Sequence, residues 1–191
     1  MERMRAQPAF EAHFPSDRPL TWEDLQSIPD DQHWAYELVE GTLLVSPSPG
    51  SRHQTCVLEL AVLLRAACPA DLQVFISPFD YVPRAGYCLQ PDVMVVERAT
   101  VEPLRVTAPP RLAVEILSPS SRLTDRSLKR LVYEEHGVPA YWIVDPSGPS
   151  LLALELEGER YVERAPVVGP ERFAAEVPFP VEVVPARLVA G

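Results

Sequence analysis

The chain has 191 residues, 47% of them hydrophobic, and its 27 acidic and 17 basic residues give a formal net charge of -10. This length and apolar content suit one domain with a full core, and they are short for two domains. The negative balance excludes a protein whose whole surface attracts a polyanion, so a nucleic-acid site would have to be a local patch.

Residues 1–20 show no regular period and are predicted to form an N-terminal arm, and residues 21–191 are predicted to form a single domain. The stretch "TWEDLQSI" predicts a short helix with Thr21 as its N-cap and Asp24 at the third helical position. The next stretch, "YELVEGTLLVSPSP", alternates as a β-hairpin that turns at Gly41.

The middle of the chain changes from helical to strand periodicity. From Ser51 to Cys68, apolar residues recur every three or four positions, which predicts an amphipathic helix that ends before Pro69. Three strands are predicted to follow, in "LQVFISPFDYVP", "QPDVMVVE" and "RLAVEIL".

A second helix is predicted in "SRLTDRSLKRLVYEEHG", capped by Thr124. Its apolar face is predicted to hold Leu128, Leu131 and Val132. The run "PAYWIVDP" predicts a strand buried on both faces, and "LLALELEGERYVERA" predicts a hairpin over Glu157 and Gly158, followed by a Pro-rich tail on the same domain. This order of elements is typical of an α/β fold in which helices flank a mixed sheet.

The cysteines and the apolar segments bear on the compartment. Cys56, Cys68 and Cys88 form no CxxC pair and have no metal-ligand spacing, which argues against a disulfide framework and against structural zinc. No stretch approaches the roughly 20 apolar residues that span a bilayer, and the first residues lack the apolar core of a signal peptide. We therefore expect a cytoplasmic protein without a membrane partner.

Glu115 interrupts the strand "RLAVEIL", which is otherwise almost wholly apolar. It shares one face of that strand with Ala113 and Leu117, because side chains alternate between the two faces. An unpaired buried carboxylate is costly or is forced neutral. We therefore expect an arginine, hydrogen bonds or a metal ion to compensate Glu115.

Asp92 follows Pro91 at the head of another apolar strand. If the two strands pair side by side, Asp92 and Glu115 converge at one end of the sheet, where their oxygen atoms suit a divalent cation. A third acid, Glu40, ends the first hairpin strand and is a candidate for the same site. The alternatives are a solvated or arginine-paired acid at Glu115, a turn residue at Asp92 and an ordinary hairpin charge at Glu40.

Positive charge gathers in the predicted second helix, at Arg122, Arg126, Lys129 and Arg130. Lys129 is the only lysine of the chain, which singles it out. The patch is a candidate phosphate-binding surface. The alternative is an exposed helix face in which Asp125 and Lys129 form an i,i+4 pair contributing only about 0.3 kcal/mol. His53, at the start of the long helix, is predicted to bind phosphate or an acid, or to be a surface histidine.

Several segments occur together in a characteristic order and spacing. They are "YELVEG", "SPSPGSRHQ", "QPDVMVV", "LAVEILSPSS", the D-x-x-x-K of Asp125 and Lys129, and "YEEHGVPAYWIVDP". From Thr21 to Arg164 the chain thereby resembles a large bacterial family of endonucleases in the PD-(D/E)XK, restriction-endonuclease-like superfamily. The resemblance implies a restriction-endonuclease-like core, a mixed β-sheet flanked by helices, with an extra C-terminal hairpin.

The same resemblance implies roles for individual residues. Asp92 and Glu115 are the implied metal-binding acids, and the backbone carbonyl of Ile116 is an implied additional ligand. Where the superfamily has lysine two residues after the second acid, this chain has Leu117, and Lys129 on the following helix takes that role.

Further implications concern the auxiliary residues and the ligands. Glu40 is the implied auxiliary acid of the N-terminal element. The implied cofactor is Mg²⁺, with Mn²⁺ as a substitute, and the implied partner is DNA. The helix arginines and His53 are expected to contact that partner.

The favoured interpretation is a metal-dependent endonuclease that hydrolyses DNA phosphodiester bonds. One alternative is a non-catalytic nucleic-acid-binding or regulatory module that retains the nuclease fold. Another is a structural protein in which Glu115 pairs with an arginine such as Arg122. A homodimer is expected, since nucleases of this fold commonly cut two strands with two subunits.

Overall fold

The computed structural model describes residues 14–15, 17–28 and 33–190, so most of the predicted N-terminal arm lies outside the described residues. The first helix, α1 (Trp22–Leu25), follows Thr21, whose backbone N–H donates to Asp24 Oδ2 at 2.8 Å. This confirms the predicted capping arrangement. The division into an arm and a single domain stays a prediction.

The predicted hairpin is present as β1 (Trp34–Val39) and β2 (Thr42–Pro47), which pair antiparallel. Its two turn residues, Glu40 and Gly41, have positive φ angles of 52° and 72°, as a type I′ turn requires. A Cβ on Gly41 would lie 2.4 Å from the Cβ of Pro19, so the close approach of the preceding chain also requires glycine there.

The remaining strands follow in chain order as β3 (Leu72–Ile76), β4 (Asp80–Tyr81), β5 (Val93–Glu97), β6 (Arg105–Val106), β7 (Leu112–Ile116), β8 (Ala140–Asp145), β9 (Ser150–Glu157), β10 (Arg160–Val168), β11 (Phe173–Ala175) and β12 (Val181–Val183). Six of them form the central sheet, in the spatial order β10-β9-β8-β7-β5-β3. Only β7 and β8 are parallel neighbours within this sheet of the described chain. The predicted α/β class with a mixed sheet is therefore confirmed.

The long helix α2 (Ser51–Ala67) ends before Pro69, as predicted. Its buried side chains include Cys56, Val57, Leu60 and Leu64, which pack on one face of the sheet. We call this the α2 face. It receives Val114 and Ile116 of β7, together with the tail elements β11, β12 and the 3₁₀ helix Pro185–Val189.

The second helix covers the opposite face of the sheet, called here the α3 face. Helical backbone begins at residue 122, widens into a π-helical turn over Thr124–Lys129 and continues as α3 (Arg130–Glu135). Thr124 therefore lies within the helix, and the prediction that it caps the helix is wrong. No helix in the described residues is both long and apolar enough to cross a membrane.

The inward face of this helix also differs from the prediction. Leu131 is 58% exposed, whereas the buried residues are Asp125, Lys129, Val132 and Tyr133. The buried residues are spaced i, i+4, i+7 and i+8, so they form one stripe along the helix, and Leu131 lies outside that stripe. The hydroxyl of Tyr141 donates to the backbone carbonyl of Asp125 at 2.8 Å, and an inserted side chain of this kind opens a helical turn.

Candidate functional site

A cavity of about 760 Å³ lies between the β1–β2 hairpin, the start of α2 and the first turns of the second helix. Its acidic and basic lining residues are Glu37, His53, Asp80, Asp92, Glu115, Asp125 and Lys129. The sequence predicted four of these as site residues, namely His53, Asp92, Glu115 and Lys129. The structure brings those four together in one cavity.

Asp92 reaches the cavity because it immediately precedes β5, the antiparallel neighbour of β7. Its Oδ2 atom accepts a hydrogen bond from the backbone N–H of Ile116 at 2.7 Å and lies 3.2 Å from His53 Nε2. His53 is itself buried, so the interpretation of it as a surface histidine is wrong. It contacts an acid, as the other interpretation predicted.

Glu115 projects from β7 onto the α3 face and is only 3% exposed. Its Oε1 atom accepts hydrogen bonds from Lys129 Nζ at 3.0 Å and from the Tyr133 hydroxyl at 2.7 Å. Burial raises the pKa of Glu115 well above its usual range, and Lys129 opposes that rise. Arg122 instead pairs with Asp145 at 2.6 Å, so the structural interpretation in which Arg122 compensates Glu115 is wrong.

Lys129 is the cation at the centre of the acidic cluster. Its Nζ atom lies 2.9 Å from Glu37 Oε2, 3.0 Å from Glu115 Oε1 and 3.8 Å from Asp125 Oδ1. Burial lowers the pKa of Lys129, but these three acids outweigh it and hold that pKa well above its ordinary value. Lys129 is therefore a buried, protonated lysine, whereas the alternative placed its pair with Asp125 on an exposed helix face.

The acid of the β1–β2 hairpin that lines the cavity is Glu37, whereas the predicted Glu40 lies outside it. Glu40 occupies the exposed hairpin turn outside the cavity lining, and its Oε1 atom accepts only a long hydrogen bond, 3.4 Å, from the Tyr87 hydroxyl. Glu37 is buried in β1, where the backbone N–H of Gln90 donates to its Oε1 atom at 2.8 Å. The available signal was an acid inside an apolar strand, the same signal that identified Glu115.

The predicted arginine patch does not line the cavity. Arg126 is exposed, Arg130 is half-buried, and Arg122 is engaged by Asp145 and Ser147. These three side chains therefore lie on the outer side of the second helix. Their predicted contact with substrate stays a prediction that concerns the surface around the cavity.

Asp125 is a further buried acid that sequence reasoning treated only as an exposed partner of Lys129. It is 1% exposed, and burial raises its pKa to about 6 despite the nearby lysine. The D-x-x-x-K spacing places Asp125 and Lys129 on the same helical stripe as Val132, and that shared stripe was the available signal.

The free oxygen atoms of the site fit a divalent cation. Among the described residues, hydrogen bonds to Asp92 go to Oδ2 and those to Glu115 go to Oε1, which leaves Oδ1 and Oε2 for a metal ion. No three His, Cys, Asp or Glu side chains of the described residues are arranged to hold a metal. The donor set thus fits an open site with two carboxylates, and it does not fit a closed structural centre.

Comparison with solved structures bears on the fold of the chain. A solved structure, described as a putative nuclease belonging to DUF820 from Anabaena variabilis ATCC 29413, is similar to this chain with a TM-score of 0.70 and 19% sequence identity. The alignment covers 90% of this chain and 98% of that one. This likeness shows that the two chains share a fold.

The sequence comparisons extend this result. No curated protein is significantly similar to the chain. The profile of the Uma2 family, described as "Putative restriction endonuclease", matches residues 22–188. That match covers most of the chain, and it confirms the resemblance seen in the motifs. The chain therefore belongs to the Uma2 family of restriction-endonuclease-like proteins.

Proposed function

We propose that the protein is a metal-dependent endonuclease that hydrolyses phosphodiester bonds in DNA. One observation carries this proposal. Asp92 and Glu115, from neighbouring strands, face the same cavity as a buried and protonated Lys129. Two carboxylates that share a site with a fixed cation suit a reaction that builds negative charge on phosphoryl oxygens.

Mg²⁺, or Mn²⁺ in its place, would be held by Asp92, Glu115 and the carbonyl of Ile116, and when bound it stabilises phosphoryl charge and lowers the pKa of a bound water. The chain's own residues orient this set. The Ile116 N–H and His53 fix one oxygen of Asp92, and Tyr133 fixes one oxygen of Glu115. Such supporting hydrogen bonds hold ligand atoms in a productive orientation.

Lys129 supplies the positive charge that contacts the scissile phosphate and orients the attacking water. Glu37 Oε2 holds its ammonium group at 2.9 Å. Glu37 therefore takes the auxiliary role that the sequence assigned to Glu40. DNA as the substrate and a homodimer as the assembly belong to the same proposal, and light scattering on the purified protein tests the dimer.

The test is cleavage of supercoiled plasmid by the wild-type protein with Mg²⁺, Mn²⁺ or EDTA. We expect nicking that requires a divalent cation. Asp92→Ala, Glu115→Ala and Lys129→Ala should each reduce the rate by at least about 100-fold, because each removes a group that stabilises charge in the transition state.

Glu37 and Glu40 are two acids of the same hairpin, and Glu40 serves as the matched control for Glu37. Glu37→Gln is expected to reduce nicking because it releases Lys129, whereas Glu40→Gln should leave the rate unchanged because Glu40 lies outside the cavity. Circular dichroism and thermal melts of each variant exclude unfolding as the cause. Metal-independent nicking, or equal nicking by all variants, would contradict the proposal and favour a non-catalytic nucleic-acid-binding module.

A further inference from the structure

Lys129 has more hydrogen-bond donors than its present contacts use. A protonated lysine has three N–H bonds, and Glu37 and Glu115 accept two of them at 2.9 and 3.0 Å. The next acid, Asp125, has its Oδ1 atom 3.8 Å from Nζ, which is too long for a hydrogen bond. Nζ of Lys129, a donor, and Oδ1 of Asp125, an acceptor, therefore lie slightly too far apart to form a hydrogen bond.

Asp125 is the matching unsatisfied acceptor. It is 1% exposed, and within the described chain neither of its carboxylate oxygens accepts a hydrogen bond of normal geometry. The Ser121 hydroxyl is near enough to stabilise the charge but does not reach hydrogen-bonding geometry. Buried polar side chains in native proteins nearly always have a partner, so this exception calls for a functional explanation.

The backbone of Asp125 is fixed, whereas the side chain of Lys129 is adjustable. The Tyr141 hydroxyl donates to the Asp125 carbonyl at 2.8 Å and holds the π-helical turn that carries both residues. Lys129 has a flexible four-carbon stem. A movement of about 1 Å by its ammonium group would bring Nζ within hydrogen-bonding distance of Asp125.

We propose that Asp125 is a positioning residue, which receives the Lys129 ammonium group when a divalent cation binds Asp92 and Glu115. This inference rests on the proposed function. A cation at Glu115 competes with the ammonium group for the same carboxylate, and the two positive charges repel each other. Asp125 lines the same cavity and offers a second acceptor. Lys129 then stays directed at the substrate, held by Glu37 and Asp125.

The experiment uses the fact that Lys129 is the only lysine. Protein labelled with ¹⁵N-lysine gives one side-chain ammonium signal in NMR spectra, and MgCl₂ is titrated into wild type, Asp125→Asn and the control Glu135→Gln. Glu135 is an exposed acid on the same helix, paired with Arg84. We expect a saturable shift of the Lys129 signal in wild type and in Glu135→Gln. In Asp125→Asn the shift should be smaller, because the cation still displaces the ammonium group from Glu115 but no charged second acceptor receives it.

Nicking kinetics provide a second readout. Asp125→Asn should lower kcat by at least about tenfold while KM for plasmid changes less than about twofold, since a misplaced Lys129 weakens the transition state more than substrate binding. Asp125→Glu keeps the charge and should restore the NMR shift. If Asp125→Asn does not fold in a thermal melt, Asp125→Ser replaces it in the same comparison.

The outcomes separate this inference from the proposed function. A wild-type protein with neither a Mg²⁺-dependent Lys129 shift nor nicking would overturn both. If wild type shows both effects and Asp125→Asn matches it in shift and kcat, the positioning role alone is overturned. A smaller shift in Asp125→Asn, with the full shift kept in Glu135→Gln, supports it.

Discussion

The two faces of the central sheet come from the same strands but differ in chemistry. Along β7, alternation sends Val114 and Ile116 to the α2 face and Ala113 and Glu115 to the α3 face. The α2 face holds a continuous apolar core. On the α3 face, buried apolar residues surround the ion cluster centred on Lys129.

This difference indicates that the α2 face contributes mainly to stability and the α3 face mainly to function. Burial of apolar side chains on the α2 face contributes favourable free energy of about 25 cal/mol for each Å² removed from water. Buried charges on the α3 face carry a desolvation cost that their mutual attraction offsets only in part. One face therefore stabilises the fold, and the other holds charged groups at the cavity in spite of their cost.

A large-to-small substitution in the apolar core of the α2 face should give the largest loss of stability. Trp142 is 1% exposed and packs edge-on against Phe173, with ring centroids 5.5 Å apart. Trp142→Ala is expected to lower the free energy of unfolding by about 3–5 kcal/mol, because it leaves a large cavity. Urea denaturation at pH 5 and pH 8 should give the same loss at both values, since no charge is involved. A loss that depends strongly on pH would contradict the proposed division.

Removing the buried cation of the α3 face should instead give a loss of stability that depends on pH. Lys129→Met leaves Glu37, Glu115 and Asp125 buried without their cation. We expect a loss of about 3–5 kcal/mol at pH 8. The loss should shrink on acidification, because removing Lys129 raises the pKa of Glu115 further and lets the folded variant bind a proton where wild type does not.

Urea denaturation of wild type and Lys129→Met from pH 5 to pH 8 measures this dependence. Arg65→Met on α2 is the matched control, since Arg65 is exposed and is absent from the cavity lining. A pH-independent loss in Lys129→Met would show that the lysine stem, and not its charge, stabilises the α3 face.

The sequence was sufficient for features that depend on local patterns. Alternation predicted the hairpin and the strands, and the spacing of apolar residues predicted α2. The acids Asp92 and Glu115 were recognisable because each stands out at an apolar strand, and the shared cavity follows from the pairing of β5 with β7.

The missed features depend on contacts between distant parts of the chain. The Tyr141 hydroxyl, on a later strand, donates to the carbonyl of Asp125 within the π-helical turn, and sequence periodicity does not show that contact. Glu37, and not Glu40, lies next to Lys129, and sequence spacing does not measure that distance. The spacing of apolar residues in the helix placed Leu131 inward, whereas the structure leaves it 58% exposed.

A smaller effect on the free energy of unfolding is expected from replacing Asp125, whose carboxylate has no hydrogen-bond partner among the described residues. The pKa of Asp125 rises from 3.8 to about 6 on folding. Between these values the folded state binds more protons than the unfolded state, so wild type loses stability as pH rises through this window, by up to about 3 kcal/mol. The amide in Asp125→Asn does not titrate, so this variant does not lose stability in that pH window. Its advantage over wild type should therefore be small at pH 4 and reach about 2–3 kcal/mol above pH 6.

Urea denaturation of both proteins at pH 4, 5, 6 and 7 measures the difference. Asp71→Asn is a control, because Asp71 is exposed and outside the cavity lining. Parallel curves for wild type and Asp125→Asn would contradict the prediction.

The smallest effect on the free energy of unfolding should come from a solvent-exposed ion pair whose N–O distance is close to those of Lys129. Arg172 and Glu182 lie 3.3 Å apart across β11 and β12, with exposed side-chain fractions of 68% and 47%. Solvent screens this pair, and its long side chains lose entropy when they are held together. A double-mutant cycle of Arg172→Ala and Glu182→Ala should therefore give a coupling of below about 0.5 kcal/mol. A coupling as large as the loss in Lys129→Met would mean that burial is not what distinguishes the ion cluster of the α3 face from ordinary surface pairs.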